Sequence, residues 1–341
     1  MERDGRRLVV IAAALVTIAA GNARAAALPH VHLLATGGTI SGGQQPLDAA
    51  GLKALVPGLS QVASVTLEDI ARIGSSRMTP EIQYRLASRI NELFATDPQL
   101  AGIVVSHGTD TLEETAFLVD LIVRDDRPVV FAAAQRPPRE TDSDGPRNLL
   151  NAIRIAASPL VRATGVLVTL NDEIHAARYV RKTHAVALEA FQSPWAGPVG
   201  YVDGARVVLT RRPAARVTIA ASRVEPNVDL VTLTAGSDGH LVSAAVDAGA
   251  KGLVVEVFGR GNVPPVVMDA VKAARERGVA VVFTTRTRGG RVEIDEAARA
   301  LGVIGGEDLD GLKARMVLVA ALGAGADGPT IQKWIERLAG Q

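Results

Sequence analysis

The chain has 341 residues, 48% of them hydrophobic, with 37 Lys+Arg against 36 Asp+Glu, and it contains no cysteine. Near-neutral charge removes the electrostatic case for nucleic acid, and without disulfides the stability has to come from burial. Aromatic residues make up only 3%, which excludes a stacking platform of the carbohydrate-binding kind, while the length admits two domains.

Arg3, Arg6 and Arg7 precede the apolar run Leu8 to Ala20 and the small-residue string Asn22 to Ala27. This is the layout of a secretory signal peptide, with an apolar core too short to anchor in a bilayer. Ala25 and Ala27 fit the small-x-small cleavage rule, making Leu28 the first mature residue; cleavage after Ala25 is the alternative. Taking away the leader's four arginines, Glu2 and Asp4 leaves 33 basic and 34 acidic residues. The expectation is export to a periplasm and no membrane association after cleavage. The competing reading is an uncleaved buried helix in a cytoplasmic protein.

Short apolar runs predict strands at His30 to Ala35, Ser64 to Asp69, Gly102 to Ser106, Pro128 to Ala133 and Gly165 to Leu170. Helical spacing of apolar residues marks Thr79 to Phe94, Thr111 to Val123 and Gly145 to Ala157 between them. Such alternation predicts an α/β fold whose larger N-terminal domain is a doubly wound, mostly parallel sheet. Gly200 to Leu209 reads as a hairpin around Asp203-Gly204, and a polar stretch from Thr210 to about Pro226 follows. Strands at Leu230 to Thr234, Leu253 to Val257 and Val279 to Thr284, with a helix at Val267 to Arg277, then predict a smaller parallel α/β domain. The boundaries are residues 1–27 for the leader, 28–212, a linker at 213–226, and 227–341.

In a doubly wound sheet ligands bind beyond the carboxyl ends of the strands. Thr39, Ser75 and the turn from Ser106 to Thr111 fall at such ends. The first strand runs into Thr36-Gly37-Gly38-Thr39-Ile40-Ser41-Gly42-Gly43, whose glycine pairs allow positive φ and close backbone approach. Thr39 between them is a candidate nucleophile. A plain strand-to-helix turn or a phosphate cradle competes with that reading, although no Gly-Lys-Ser/Thr follows and the G-x-G-x-x-G spacing is absent. The second stretch is Ile103-Val104-Val105-Ser106-His107-Gly108-Thr109-Asp110-Thr111-Leu112-Glu113-Glu114-Thr115. Thr111 and Glu114 have capping-box spacing, placing Thr109 and Asp110 before a helix N-terminus, which attracts anionic groups. By itself, Asp110 reads as a helix cap.

These two threonine motifs, with Gly74-Ser75, Asp144-Gly145-Pro146, Asn148-Leu149, Asn171-Asp172, Arg178 and Lys182-Thr183, resemble the bacterial L-asparaginase and glutaminase-asparaginase family, its exported type II branch in particular. The resemblance covers essentially the whole chain after the leader, so both domains are expected to be asparaginase-like. It implies hydrolysis of a small amino-acid amide by a threonine nucleophile through an acyl-enzyme, with no cofactor. L-asparagine is the expected substrate, with glutaminase or dual activity as the alternative. Carried over residue by residue, Thr39 attacks the amide carbon, and Thr109, Asp110 and Lys182 form the second polar group. A threonine hydroxyl is weakly nucleophilic at neutral pH and needs a proton acceptor, which agrees with a lysine nearby. Which group accepts the proton first stays open. The backbone N–H groups of Thr109 and Ala134 match the donors to the oxyanion, Asp110 suits the substrate ammonium, and Ser75 its carboxylate.

The resemblance also implies a homodimer or homotetramer whose sites are completed by a neighbouring subunit, through Asn262 and a glutamate for which Glu293 is the candidate. Two departures stand out. Ser76 occupies the place of a glutamine that touches substrate, and the interval Ser41 to Gly51 is a short lid without the family's tyrosine. A shorter lid excludes water less well and is expected to slow catalysis. Without the resemblance, Lys182 reads as a solvated surface lysine. The six histidines are scattered, so no metal site is expected, and no G-x-S-x-G elbow is present. The competitor from another class is a periplasmic amino-acid-binding protein, which needs Asp110 and Ser75 but not Thr39, Thr109 and Lys182 together.

Overall fold

The computed structural model describes residues 27–42, 47–213 and 216–339. Of the expected features, the leader up to residue 26, Gly43 and the next three residues of the lid, and residues 214–215 of the linker lie outside the described residues.

The N-terminal half carries strands β1 (His30–Gly37), β2 (Ser64–Ile73), β3 (Leu100–Ser106), β4 (Val129–Ala132), β5 (Val166–Leu170) and β6 (Glu173–Ala176). A short ribbon, β7 (Arg181–Lys182) with β8 (Phe191–Gln192), and the hairpin β9 (Gly200–Asp203) to β10 (Arg206–Leu209) follow. Eight of these strands form one sheet in the order β10-β9-β6-β5-β4-β3-β1-β2, and β7 and β8 stand apart. Strands β1 to β5 pair in parallel, while β6, β9 and β10 extend one side in antiparallel fashion. The reversal comes at Asn171-Asp172, both at positive φ (51° and 64°), the conformation that a two-residue hairpin requires and that Asn and Asp tolerate.

Central strands are buried on both faces, as in a sheet covered by helices: Ile103, Val104 and Val105 of β3 are all fully buried. Helices α1 (Ala49–Ala54) and α4 (Gly145–Ala156) pack on one face, α2 (Pro80–Thr96) and α3 (Leu112–Ile122) on the other. The second half is a four-stranded parallel sheet, β11 (Val228–Thr232), β12 (Gly252–Val257), β13 (Ala280–Thr285) and β14 (Ile304–Gly305). It is flanked by α5 (His240–Asp247) and α6 (Pro265–Glu276), by the short α7 (Glu296–Ala300), and by α8 (Gly311–Gly323) and α9 (Gly328–Leu338). Phe117 of α3 and Val317 and Leu318 of α8 belong to one buried cluster, so the two halves share a core.

The expected two-domain α/β class is therefore observed, and sheet order decides where the site forms. β1 and β3 are neighbours, so the loops leaving them meet. Thr36 donates from Oγ1 to the Ser106 carbonyl at 2.9 Å, tying the two strand ends. One residue further on, the loops touch through backbone alone. A Cβ on Gly38 would lie 2.3 Å from the Gly108 Cα, and one on Gly37 2.5 Å from the Ile73 carbonyl oxygen. Gly38 also has φ 86° and ψ −173°, a conformation that is essentially restricted to glycine.

Buried polar groups set the pH response. His107 follows β3 and is fully buried; its Nδ1 is 2.7 Å from the Gly108 carbonyl and therefore carries the proton, while Nε2 has no partner among the described residues. Burial lowers its pKa to about 4, and burial does the same to His175 of β6, also to about 4.

Two predictions follow from this packing. Gly38→Ala is expected to destabilise by about 2 kcal/mol or more, the sum of backbone strain and steric overlap; an unchanged urea midpoint would show that the two loops separate freely. The buried histidines add an acid dependence. Unfolded histidine protonates near pH 6.5 and these two only near 4, so the stability they confer is complete above 6.5 and is lost as pH falls towards 4. Each contributes up to roughly 3 kcal/mol. The urea midpoint should drop between pH 7 and 4.5, and less steeply in His107→Asn; equal slopes in both proteins would contradict the assignment.

Candidate active site

Thr39 opens a single 3-10 turn, Thr39–Ser41, directly after Gly38, and is half-buried. Gly42 closes the turn, donating its N–H to the Thr39 carbonyl at 2.9 Å from a left-handed conformation. Across the Gly38–Gly108 contact stands Thr109, in the loop between β3 and α3 and largely buried. The backbone contact thus brings the two threonine motifs to one place.

Lys182 reaches the same place from β7. Its Nζ donates to Thr109 Oγ1 at 2.8 Å and lies 3.5 Å from Asp110 Oδ1. The lysine side chain is 19% exposed and that of Asp110 58%, so the ammonium is withdrawn behind a carboxylate that faces the solvent. The solvated surface position that Lys182 has without the family resemblance is not what is observed. Its backbone N–H is also held, by the Glu113 carboxylate at 2.9 Å. Chemically, Thr109 and Lys182 are a proton-sharing pair: an ammonium donates to the hydroxyl oxygen, and a neutral amine accepts the hydroxyl proton.

Ser75 sits on the turn Ser75–Arg77 after β2, buried, with its hydroxyl donating to Asp110 Oδ2 at 3.2 Å and accepting from the Asp110 N–H at 3.1 Å. A serine hydroxyl has one proton, and here Asp110 takes it, so in this state Ser75 orients Asp110. Ser76 is exposed beside it. Room at this junction is minimal, since a Cβ on Gly108 would come within 2.5 Å of Ser75 Oγ.

The expected capping box does not form. Thr111 is the N-cap of α3 but makes no capping hydrogen bond; its hydroxyl donates instead to the Ser75 carbonyl at 2.9 Å. Glu114 turns to Arg315 of α8, 3.5 Å away. Both residues are drawn into contacts with other parts of the fold, which local spacing cannot register. Asp110 makes no cap either; its exposed carboxylate faces Ser75 and Lys182.

Ala134 lies fully buried in the loop after β4. A Cβ on Gly145 would be 3.4 Å from both the Ala134 Cβ and Ile40 Cγ1, so Ala134 and the residue following Thr39 flank the same glycine. What fixes this loop is Asp144. Its carboxylate accepts the N–H groups of Gln135 (3.1 Å) and Arg136 (2.9 Å) and the Asn148 side-chain amide (3.0 Å). Asp144 and Glu113 belong to the stretches that carry the family resemblance, but the sequence reading gave neither a role; the structure shows each holding backbone N–H groups beside the site.

Asn262 is exposed on the turn after β12, where its backbone bridges to Phe258. Glu293 is its neighbour: the Glu293 N–H donates to the Arg260 carbonyl at 2.7 Å, Arg260 pairs with the Glu293 carboxylate, and a Cβ on Gly261 would meet the Glu293 carbonyl oxygen at 2.3 Å. Arg260 holds the Glu293 carboxyl below the usual range. Within the described residues, no hydrogen bond or ion pair joins this exposed pair to Thr109, Asp110 or Lys182 of the same chain.

Known proteins resemble this chain along both halves. The family profile described as "Asparaginase, N-terminal" matches residues 30–215, and "Glutaminase/Asparaginase C-terminal domain" matches residues 227–335. The chain is 36% identical to the "Probable L-asparaginase periplasmic" of Haemophilus influenzae over 335 residues, 92% of this chain and 94% of that protein. It is 34% identical to the "Glutaminase-asparaginase" of Pseudomonas fluorescens biotype A over 326 residues, 90% of each. Among solved structures, a "Probable Cytoplasmic L-asparaginase" from Campylobacter jejuni superposes with a TM-score of 0.84 at 35% identity, covering 90% of this chain and 99% of that one. Matches along both halves at these identities make the chain a hydrolase rather than a binding protein: it belongs to the L-asparaginase/glutaminase-asparaginase family.

Proposed function

We propose that this chain hydrolyses the side-chain amide of L-asparagine to L-aspartate and ammonia with Thr39 as nucleophile. The observation that carries the reading is the 2.8 Å contact between Lys182 Nζ and Thr109 Oγ1, next to the backbone contact that brings Thr39 alongside. Thr39 Oγ bonds to the amide carbon, the C–N bond breaks, and nitrogen leaves as ammonia with the proton that Thr39 gave up. Water then cleaves the ester, releasing aspartate and restoring the Thr39 hydroxyl. The Thr109–Lys182 pair relays protons, Asp110 takes the substrate ammonium, and the N–H groups of Thr109 and Ala134 stabilise the oxyanion. Ser75 orients Asp110 and donates its hydroxyl hydrogen bond to the substrate carboxylate once Asp110 turns to the ligand.

Glutamine is the second substrate. Ser76 stands where the family has a glutamine that touches substrate, and the Pseudomonas fluorescens relative is a glutaminase-asparaginase. One methylene is worth about 1 to 3 kcal/mol in a pocket, so the preference for asparagine is modest. We further assign the chain to the exported, periplasmic type II branch, on the Arg-flanked apolar leader that a cytoplasmic enzyme does not need. It works as a dimer or a pair of dimers. Asn262 and Glu293, adjacent and exposed on the C-terminal half, are the groups offered to a partner's site.

Purified mature protein is expected to release ammonia from asparagine without added metal. Thr39→Ala and Lys182→Met should each lower turnover at least about a hundredfold, the scale of one lost catalytic group. Undiminished activity in Thr39→Ala would refute the nucleophile, and running asparagine beside glutamine ranks the two substrates. Shared sites have their own signature. Mixing the inactive Thr39→Ala and Asn262→Ala proteins, with subunit exchange, should recover roughly a quarter of wild-type activity, because random pairing yields one intact site in four. A fully active monomer by light scattering would exclude sharing.

A further inference from the structure

We propose that Lys313 and Glu113 are positioning residues for Lys182, so that the C-terminal half of each chain holds the catalytic lysine of its own site. This rests on the reading of Lys182 as catalytic. Lys313 is 1% exposed and lies in the first turn of α8, where its N–H donates to the capping carboxylate of Asp310 at 2.9 Å. Stability does not call for a lysine here. A buried ammonium is costly to desolvate, and a cation in the first turn opposes the helix dipole. Burial lowers the Lys313 pKa accordingly.

Its hydrogen bonds show what the ammonium does. Lys313 Nζ donates to the carbonyls of Glu113 and Ala177, both at 2.9 Å and both in the N-terminal half, and stands 5.3 Å from the centre of the Phe117 ring. The first carbonyl belongs to the opening turn of α3, just after Thr109 and Asp110. The second belongs to the chain leaving β6, five residues before Lys182. One buried cation thereby binds the segment carrying Thr109 to the segment carrying Lys182. Glu113 closes the circuit, since its carboxylate accepts the Lys182 N–H. Arg178 with Asp308 (2.7 Å) and Arg181 with Asp310 (3.5 Å) hold the same stretch along its length. A lysine on a two-residue strand is otherwise weakly fixed, and displacement of about 1 Å at a catalytic group can cost on the order of a hundredfold in rate.

The test is a double-mutant cycle on ammonia release. Lys313→Met is expected to lower kcat about thirtyfold or more with KM within about threefold, and to cause no further loss in a Lys182→Met background, since its effect passes through Lys182. An equal loss in both backgrounds would mark a merely structural residue, and an unchanged kcat in folded Lys313→Met would equally overturn the proposal. If Lys313→Met does not fold, Glu113 decides. Glu113→Gln keeps an oxygen for the Lys182 N–H and should retain kcat within about threefold, whereas Glu113→Leu should lose about thirtyfold; equal losses in the two refute the link. Full turnover in Lys182→Met would overturn the functional reading itself, a result separable from any outcome of the cycle.

Discussion

Two glycines in van der Waals overlap range are the constraint on which the site depends. Strands β1 and β3 are sheet neighbours, and their leaving loops converge until Gly38 and Gly108 have no room for a Cβ on either side. Thr39 on one loop and Thr109 on the next stand side by side because the backbones approach this closely. The same crowding continues to Ser75, whose Oγ would be 2.5 Å from a Cβ on Gly108. Three loops, after β1, β2 and β3, are therefore fixed against one another by what their glycines leave out. Preorganisation of this kind is paid in local backbone strain and returned as fixed geometry.

Charge is arranged on top of that frame. The carboxylate of Asp110 is exposed, with one oxygen held by Ser75 and the other near Lys182, so a fixed negative group faces the solvent there. Behind it, Lys182 and Glu113 occupy positions shielded from solvent, where burial raises the Glu113 pKa against the lowering influence of Lys313 and of the Lys182 N–H. Polarity thus increases from the protein interior towards the ligand. His107 belongs to the inner layer: neutral, donating to the Gly108 carbonyl, it supports the very residue that contacts Gly38.

The sheet and its helices were legible because their signals are local. Apolar runs followed by turn residues placed β1, β3 and β5 within about two residues, the usual uncertainty of element ends. Threonine and glycine motifs likewise named Thr39, Thr109 and Asp110, and the structure brings their loops together. Contacts that are long in sequence were not legible. Thr111 and Glu114 had the spacing of a capping box, but Ser75 and Arg315 claimed them, from 36 residues away in the first case. Ser75 was read as a partner for the substrate carboxylate, and its hydroxyl is bonded to Asp110. On the antiparallel side the hairpin of β9 and β10 was read from its Asp203-Gly204 turn, but β6 escaped notice because Glu173-Ile174-His175-Ala176 is short and mixed, although Asn171-Asp172 is a recognisable turn. Glu113 lay within a motif that gave it no role, and Lys313 carried no motif at all; only their burial and their bonds to backbone groups give them meaning.

The C-terminal half is thus more than a second layer of core. Its inward edge, at residues 308–313, supplies Asp308, Asp310 and Lys313 to the stretch that ends in Lys182. Its other distinctive feature, the turn with Asn262 against Glu293, is exposed and makes no hydrogen bond or ion pair to that site among the described residues. α8 packs against β11 and β12 through the same buried cluster that includes Val228 and Val254. The helix that bears Lys313 and the strand that runs into the Asn262 turn therefore belong to one packed unit, so the segment ending in Lys182 and the exposed Asn262–Glu293 turn are both anchored on the same core.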